Sequence, residues 1–248
     1  MKKIVFISML GEPSLYNVDK FKDLCDSGLE KDWVAKWLQP ITSDYGYQLT
    51  SFDICRGEEL PLPDEVDAVI VGGTNHDVRM HTPWLERLTS WLKEYRQLGH
   101  PLLGICGGHQ LISIVFGGSE LTELKDGRMA GTFPIELSEA GKQHPLFEGI
   151  TEPPMFNFAN SLHILPSNLL AKKVLAYSKN STAVAVDHGS NWLTCQFHPE
   201  SEKKTWICYF RDDHDIDMNI YSKNHDGGRL IENFLKITNS TSRDFYSS

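Results

Sequence analysis

Short, continuous apolar runs separated by amphipathic stretches dominate the first half of the chain. Ile4-Val5-Phe6-Ile7 is such a run, as expected for a parallel strand covered on both faces. Leu29, Trp33, Val34, Trp37 and Leu38 recur at helical spacing, and Pro40 is predicted to end that helix. Tyr47 to Phe52 and Ala68 to Val71 read as the second and third strands, the latter stopped by Gly72-Gly73. Thr82-Pro83 is a helix start, because Pro fits the first helical position, where the N–H has no intrahelical partner. Trp84, Leu85, Leu88, Trp91, Leu92 and Tyr95 mark one apolar face of that helix. Leu102 to Ile105 is the fourth strand, and Gln110 to Phe116 is amphipathic again. This alternation predicts an α/β fold: a twisted, mainly parallel sheet with helices on both faces and right-handed crossovers.

Past Gly117-Gly118 the pattern changes. Gly131 to Leu137, Val174 to Ser178, Ala183 to Asp187 and Trp192 to Phe197 read as closely spaced strands, a smaller and partly antiparallel extension. Asp226-Gly227-Gly228 leads into a closing helix with Leu230, Ile231, Phe234 and Leu235 on its apolar face. Residues 11–27 are irregular and are expected to form a loop or lid near the sheet edge. There is no internal repeat, low-complexity segment or linker, so residues 1–248 are read as one domain.

Composition narrows the function classes. A content of 40% hydrophobic and 23% charged residues over 248 positions is that of an ordinary globular chain with a sizeable core. The net charge of −9, with no basic stripe, argues against nucleic acid and anionic membranes as partners. Five cysteines, with no CxxC pair and no zinc spacing, fit a reducing cytoplasm and give no reason to expect a metal or other cofactor. The start, Met1-Lys2-Lys3 followed by Ile4 to Leu10, is too short an apolar run and lacks the cleavage site of a signal peptide. No run approaches the roughly 20 apolar residues of a membrane-spanning helix.

Gly104-Ile105-Cys106-Gly107-Gly108 carries the candidate chemistry. It follows the fourth strand and precedes a helix, placing a cysteine at the apex of a tight turn with glycines two positions to either side. Glycine is required there because strand and helix backbones crowd together, the arrangement of a nucleophile elbow. The helix start gives Cys106 free N–H groups and a dipole that favour a thiolate. Further along, Gln196-Phe197-His198-Pro199-Glu200 offers an imidazole to take the thiol proton and a carboxylate to hold its tautomer. Alone, His-Pro-Glu reads as a surface turn, and its pairing with the elbow is what raises it. The N–H groups of Gly107 and Gly73 are candidate oxyanion donors.

Taken together, Gly104-Ile105-Cys106-Gly107-Gly108-His109-Gln110, Phe116-Gly117-Gly118 and Gln196-Phe197-His198-Pro199-Glu200 resemble the class I (triad-type) glutamine amidotransferase domain family, of the stand-alone, GMP-synthase-like kind. The resemblance runs from about Val69 to Glu200 and implies a flavodoxin-like sheet. It implies that Cys106 attacks the glutamine side-chain amide to form a γ-glutamyl thioester, that His198 shuttles protons and that Glu200 orients it. Ammonia leaves, and water then releases glutamate. By the same resemblance Gln110 contacts the substrate.

The chain also departs from the family. Gly73 is followed by Thr74-Asn75-His76 where the family usually has Gly-Gly-Pro. The pocket segment Ser-His-x-Asp is matched here by Asn157-Phe158-Ala159-Asn160, which makes Asn160 a candidate substrate contact. Residues 201–226 bring Trp206, Tyr209, Phe210 and the run Asp212 to Asp217, read as a solvated acidic loop whose aromatics alternatively form a partner surface. His163, His188 and His225 are read as structural. With no room for a synthase domain and no phosphate-binding loop, the ammonia is delivered to a separate ammonia-accepting synthase, or the reaction ends in hydrolysis. The alternatives are hydrolysis of a γ-glutamyl peptide or γ-glutamyl amine through the same thioester, and an amidotransferase subunit that is partner-activated or non-catalytic. Last in rank is a cysteine-elbow protein of the chaperone or glyoxalase kind, since it has no need of His-Pro-Glu.

Overall fold

The computed structural model describes residues 1–244. The first half runs β1 (Lys2–Ser8), α1 (Glu30–Asp44), β2 (Tyr47–Asp53), β3 (Ala68–Val71), α2 (Pro83–Gln97), β4 (Leu102–Ile105) and α3 (Gly107–Val115). The second half runs β5 (Glu120–Glu123), β6 (Met129–Pro134), β7 (Glu136–Leu137), α4 (Glu139–Gln143), β8 (Met155–Asn160), β9 (Leu162–Leu165), α5 (Asn168–Ala171), β10 (Val174–Ser178), β11 (Ser181–Asp187), β12 (Trp192–Cys195), α6 (Lys203–Tyr209) and α7 (Gly227–Asp244). One eight-stranded sheet has the order β2-β1-β3-β4-β12-β11-β10-β7. Strands β2, β1, β3, β4 and β12 are parallel, whereas β11, β10 and β7 continue the sheet antiparallel. Two further ribbons, β5-β9 and β6-β8, stand apart from it.

The expected mainly parallel α/β sheet is therefore present, and its central strands are buried on both faces. In β1, Ile4 and Phe6 pack with Trp33, Val34 and Leu38 of α1 and with Leu230, Ile231 and Phe234 of α7. Their neighbours Val5 and Ile7 point the opposite way, against Leu85, Leu88, Leu92 and Tyr95 of α2. Each such aliphatic side chain contributes roughly 1.5–3 kcal/mol by leaving water. The α2 start is as read: the Thr82 side chain caps the Leu85 N–H and Pro83 takes the first helical position.

Two expectations are corrected. Pro40 does not end α1, which continues to Asp44. Pro40 and Lys36, whose carbonyl it leaves without an intrahelical donor, both lie on the exposed face, where that carbonyl is open to solvent. The inward face carries the helix on, with Thr42 fully buried. The single strand expected from Gly131 to Leu137 is two strands. Pro134 ends the pairing of β6 with β8, the Ile135 N–H turns to the Pro154 carbonyl, and Glu136-Leu137 joins the main sheet beside β10.

Residues 11–27 fold as turns and one short 3-10 helix, Val18–Phe21, lying against α6. Among the described residues no helix is long and apolar enough to cross a membrane.

Candidate active site

The elbow is tight. Cys106 adopts φ 48° and ψ −102°, a left-handed conformation that a residue with a Cβ occupies only under strain. Its N–H donates to the Cys195 carbonyl of β12 at 2.8 Å, and the Gly108 N–H donates to the Gly72 carbonyl at 3.0 Å, so both neighbouring strands pin the turn. A Cβ on Gly104 would lie 2.8 Å from Ile112 Cδ1, and one on Gly108 would lie 2.6 Å from the Val71 carbonyl oxygen. The expected crowding of strand and helix is thus the reason for both glycines.

Strand β12 ends next to β4, and the chain beyond it brings His198 over the elbow. The His198 N–H donates to the Asn157 carbonyl at 2.8 Å, and Nδ1 meets Glu200 Oε1 at 2.7 Å. The Glu200 side chain is buried, and that of His198 is 12% exposed. Burial works against a charged imidazole, but the Glu200 carboxylate and the Cys106 sulfur outweigh it and hold the His198 pKa well above the usual histidine value. Gly73 marks where His198 and Cys106 converge. A Cβ there would lie 3.1 Å from His198 Cε1 and 3.5 Å from Cys106 Cβ. Among the described residues the N–H groups of Gly73 and Gly107 find no acceptor in the chain, which leaves two donors on either side of the sulfur.

Gln110 and Asn160 line, with Cys106, a cleft of about 270 Å³. Gln110 is buried, and its Nε2 donates to the Leu162 carbonyl at 3.2 Å and to Gln196 Oε1 at 3.0 Å. Gln196 in turn donates from Nε2 to Cys106 Sγ at 3.4 Å. Asn160 Nδ2 donates to the Leu162 carbonyl at 3.0 Å, while its Oδ1 is buried without a partner.

Sequence reasoning missed several residues here. Glu30 reads as an ordinary first-turn acid of α1, yet it is fully buried, with Ser8 Oγ donating to its Oε2 at 2.6 Å. Burial pushes its carboxyl up to about 8, with Ser8 working against the rise and Glu200 adding to it. Glu30, Cys106, His198 and Glu200 share a cavity of about 30 Å³, the size of one water. Gln196 belongs to the His-Pro-Glu motif, but nothing in the sequence assigns it a role. The aromatics of α6 are not an exposed surface. Trp206 lies edge-on to His198, with ring centroids 5.0 Å apart, and stacks on Tyr221, while Phe210 is buried beside it. Tyr209 donates its hydroxyl to Asn75 Oδ1 at 2.5 Å, bridging the cleft from α6 to the turn after Gly73.

Other titratable groups stay apart from this centre. His109 Nδ1 and His188 Nε2 both meet the Thr194 hydroxyl, at 2.8 and 3.0 Å. His163 pairs with Ser181. The acidic run is tied down by Lys20 to Asp212 and Arg128 to Asp213, each at 2.7 Å. Among the described residues no group of three or more His, Cys, Asp or Glu side chains is placed to hold a metal ion, and all five cysteines are free. A strained thiol, an imidazole braced by a carboxylate and two unused N–H donors form a set suited to acyl transfer.

Comparison with known proteins agrees with that chemistry. Residues 41–212 match the family model described as glutamine amidotransferase class-I. Relatives include gamma-glutamyl peptidase 4 of Arabidopsis thaliana, 28% identical over 81% of this chain and 76% of that protein. Another is one of the subunits of the glutamine-hydrolyzing GMP synthase of Methanosphaera stadtmanae, 30% identical over 62% of this chain and 70% of that protein. In fold, the chain is similar to a Thermotoga maritima glutamine amidotransferase crystal structure, with a TM-score of 0.76, 18% identity, and coverage of 96% of this chain and 97% of that one.

Proposed function

Since this chain belongs to the class-I glutamine amidotransferase family, we propose that it hydrolyses a γ-glutamyl amide through a thioester on Cys106, acting as one domain. The Cys106 sulfur, its proton taken by His198, attacks the γ-carbonyl carbon. The carbonyl oxygen becomes an oxyanion that the Gly73 and Gly107 N–H groups receive, an arrangement in which each donor contributes roughly 3–4 kcal/mol. His198 returns the proton to the departing nitrogen, the C–N bond breaks, and ammonia or an amine leaves. Water, deprotonated by His198, then opens the thioester, and glutamate departs as the thiol regains its proton. The observation that carries this reading is the Nδ1–Oε1 contact of 2.7 Å that fixes a proton-rich His198 over the strained Cys106.

Glutamine is the first substrate to consider, with glutamate and ammonia as products. The names of the GMP synthase relative and of anthranilate synthase component 2 from Mycobacterium tuberculosis support a separate ammonia-accepting synthase as partner. Two observations favour a larger leaving amine as a second reading. The cleft at Cys106 shares Asn75, Arg128, Tyr209 and Phe210 with an adjoining cleft of about 660 Å³, and the gamma-glutamyl peptidase match spans more of this chain than the GMP synthase match does. Five free cysteines suit a reducing, cytoplasmic setting.

The test is glutamate release from glutamine and from γ-glutamyl dipeptides, with Cys106→Ala as control. Cys106-dependent release from glutamine supports the glutaminase reading, and release from dipeptides alone supports the peptidase reading. Absence of both, together with a Cys106 that resists alkylation by a glutamine-like electrophile, overturns catalysis by this chain.

A further inference from the structure

Arg128 stands just before β6 and lines both the cleft that holds Cys106 and the larger cleft beside it. Its guanidinium lies 5.1 Å from the centre of the Phe210 ring, and Nη2 contacts Asp213 Oδ2 at 2.7 Å. These two contacts fix the plane of the group. They leave Nε and Nη1 without an acceptor among the described residues, on a side chain that is 39% exposed.

Most other charged groups around the clefts are already engaged, with His214 and Asp215 of the larger cleft the exceptions among the described residues. Asp77 is bound by Arg79, whose fork is used up on Asp77 and on the Leu121 carbonyl. His76 faces Glu12 at 3.2 Å. In the larger cleft Lys20 is held by Asp212. Arg128 is therefore the one permanent cation of the Cys106 cleft, among the described residues, that still has donors to offer, while His76 keeps a buried Nε2 without a partner.

We propose that Arg128 receives a carboxylate of the substrate. A guanidinium held over an aromatic ring and anchored through Nη2 keeps charged N–H donors at Nε and Nη1 for a carboxylate oxygen. The acids of the larger cleft repel an anion from that side, so the carboxylate meets Arg128 from the side of Cys106. This rests on the γ-glutamyl reading above, and such substrates supply the carboxylate from one of two places. One is the α-carboxylate of the glutamyl group, present in every substrate. The other is the carboxylate of a leaving amino acid, present only in peptides.

The test separates binding from turnover. Binding of glutamine, γ-glutamylglycine and γ-glutamyl methylamide to Cys106→Ala protein is measured by calorimetry, with and without a second substitution, Arg128→Met. Steady-state kinetics of Arg128→Met in the otherwise native chain accompany it. Loss of a charge-assisted pair weakens binding by about 10- to 100-fold, with KM rising and kcat little changed. A loss shared by all three ligands assigns the glutamyl carboxylate. A loss confined to γ-glutamylglycine assigns the leaving group. Equal affinities with and without Arg128, or no saturable binding of any ligand, overturn the proposal. So does Arg128→Lys if it binds no better than Arg128→Met, because the effect would then be support of the α6 region rather than charge. Turnover by the native chain bears on the γ-glutamyl reading separately.

Discussion

Two histidine environments flank the same strand end, and they hold opposite protonation states. His109 and His188 are buried below the end of β12, sharing the Thr194 hydroxyl. With no carboxylate in contact, burial takes both pKa values down to about 3, helped at His109 by His188 and at His188 by Arg96 and Lys173. His198 lies four residues beyond Thr194 and is largely buried as well, yet it holds its proton because Glu200 sits 2.7 Å away. Burial alone keeps a histidine neutral, and burial beside a carboxylate and the Cys106 sulfur keeps it charged. Neighbours, not the residue type, separate the two states.

The largest test of that contrast is Glu200→Gln. It should lower the His198 pKa toward that of the Thr194 pair and cut kcat by roughly 10²- to 10⁴-fold. Imidazole titration by NMR together with glutamate-release kinetics reads both, and a His198 that stays protonated at neutral pH would break the comparison. Next comes the acid response. Unfolded His109 and His188 take up protons below about 6.5, whereas the folded rings resist until about 3. Stability from this pair is therefore complete above 6.5 and lost as pH falls from there toward 3. Chemical denaturation across that window should show the loss, and His188→Asn should flatten it.

Thr194→Val keeps the shape but strips both rings of their shared partner. It should cost roughly 1–3 kcal/mol of stability while leaving turnover per folded molecule unchanged, as measured by thermal melting and by rate assays. Glu30→Gln tests the buried carboxyl that shares the cavity of this centre. Folded Glu30 keeps its proton up to about 8, whereas its ordinary value is 4.5. The wild-type chain accordingly loses stability as pH rises from 4.5 to 8, and the amide, which still accepts from Ser8, removes that loss. Melting temperatures of the two proteins should agree near pH 4.5 and separate by pH 8.

Much of this is legible in the residues. The bounds of β3, β4 and β10 follow from apolar runs, and the elbow and the His-Pro-Glu segment point to the candidate site because glycine crowding and the linear spacing of two side chains are local facts. What escapes depends on distant pairing. The β6-β8 and β5-β9 ribbons join segments that no periodicity links. The end of β6 is hidden because Pro134 acts only through the ladder it stops. Glu30 and Arg128 look in sequence like any surface charge, and only burial against Glu200 or a place on the cleft wall distinguishes them. Trp206 reads as exposed because a short helix over an active centre shows no core-facing repeat.

The backbone at Cys106 has a longer reach than the reaction proposed for it. With φ at 48° and ψ at −102°, the position costs a side chain about 1–3 kcal/mol that glycine would not incur. The molecule would outlast its present form if it gave up its sulfur. Durability and reactivity pull against each other at one residue, so a lineage released from the need to react would drift there toward glycine, and a silent copy of this protein would be recognised by that single change before any other.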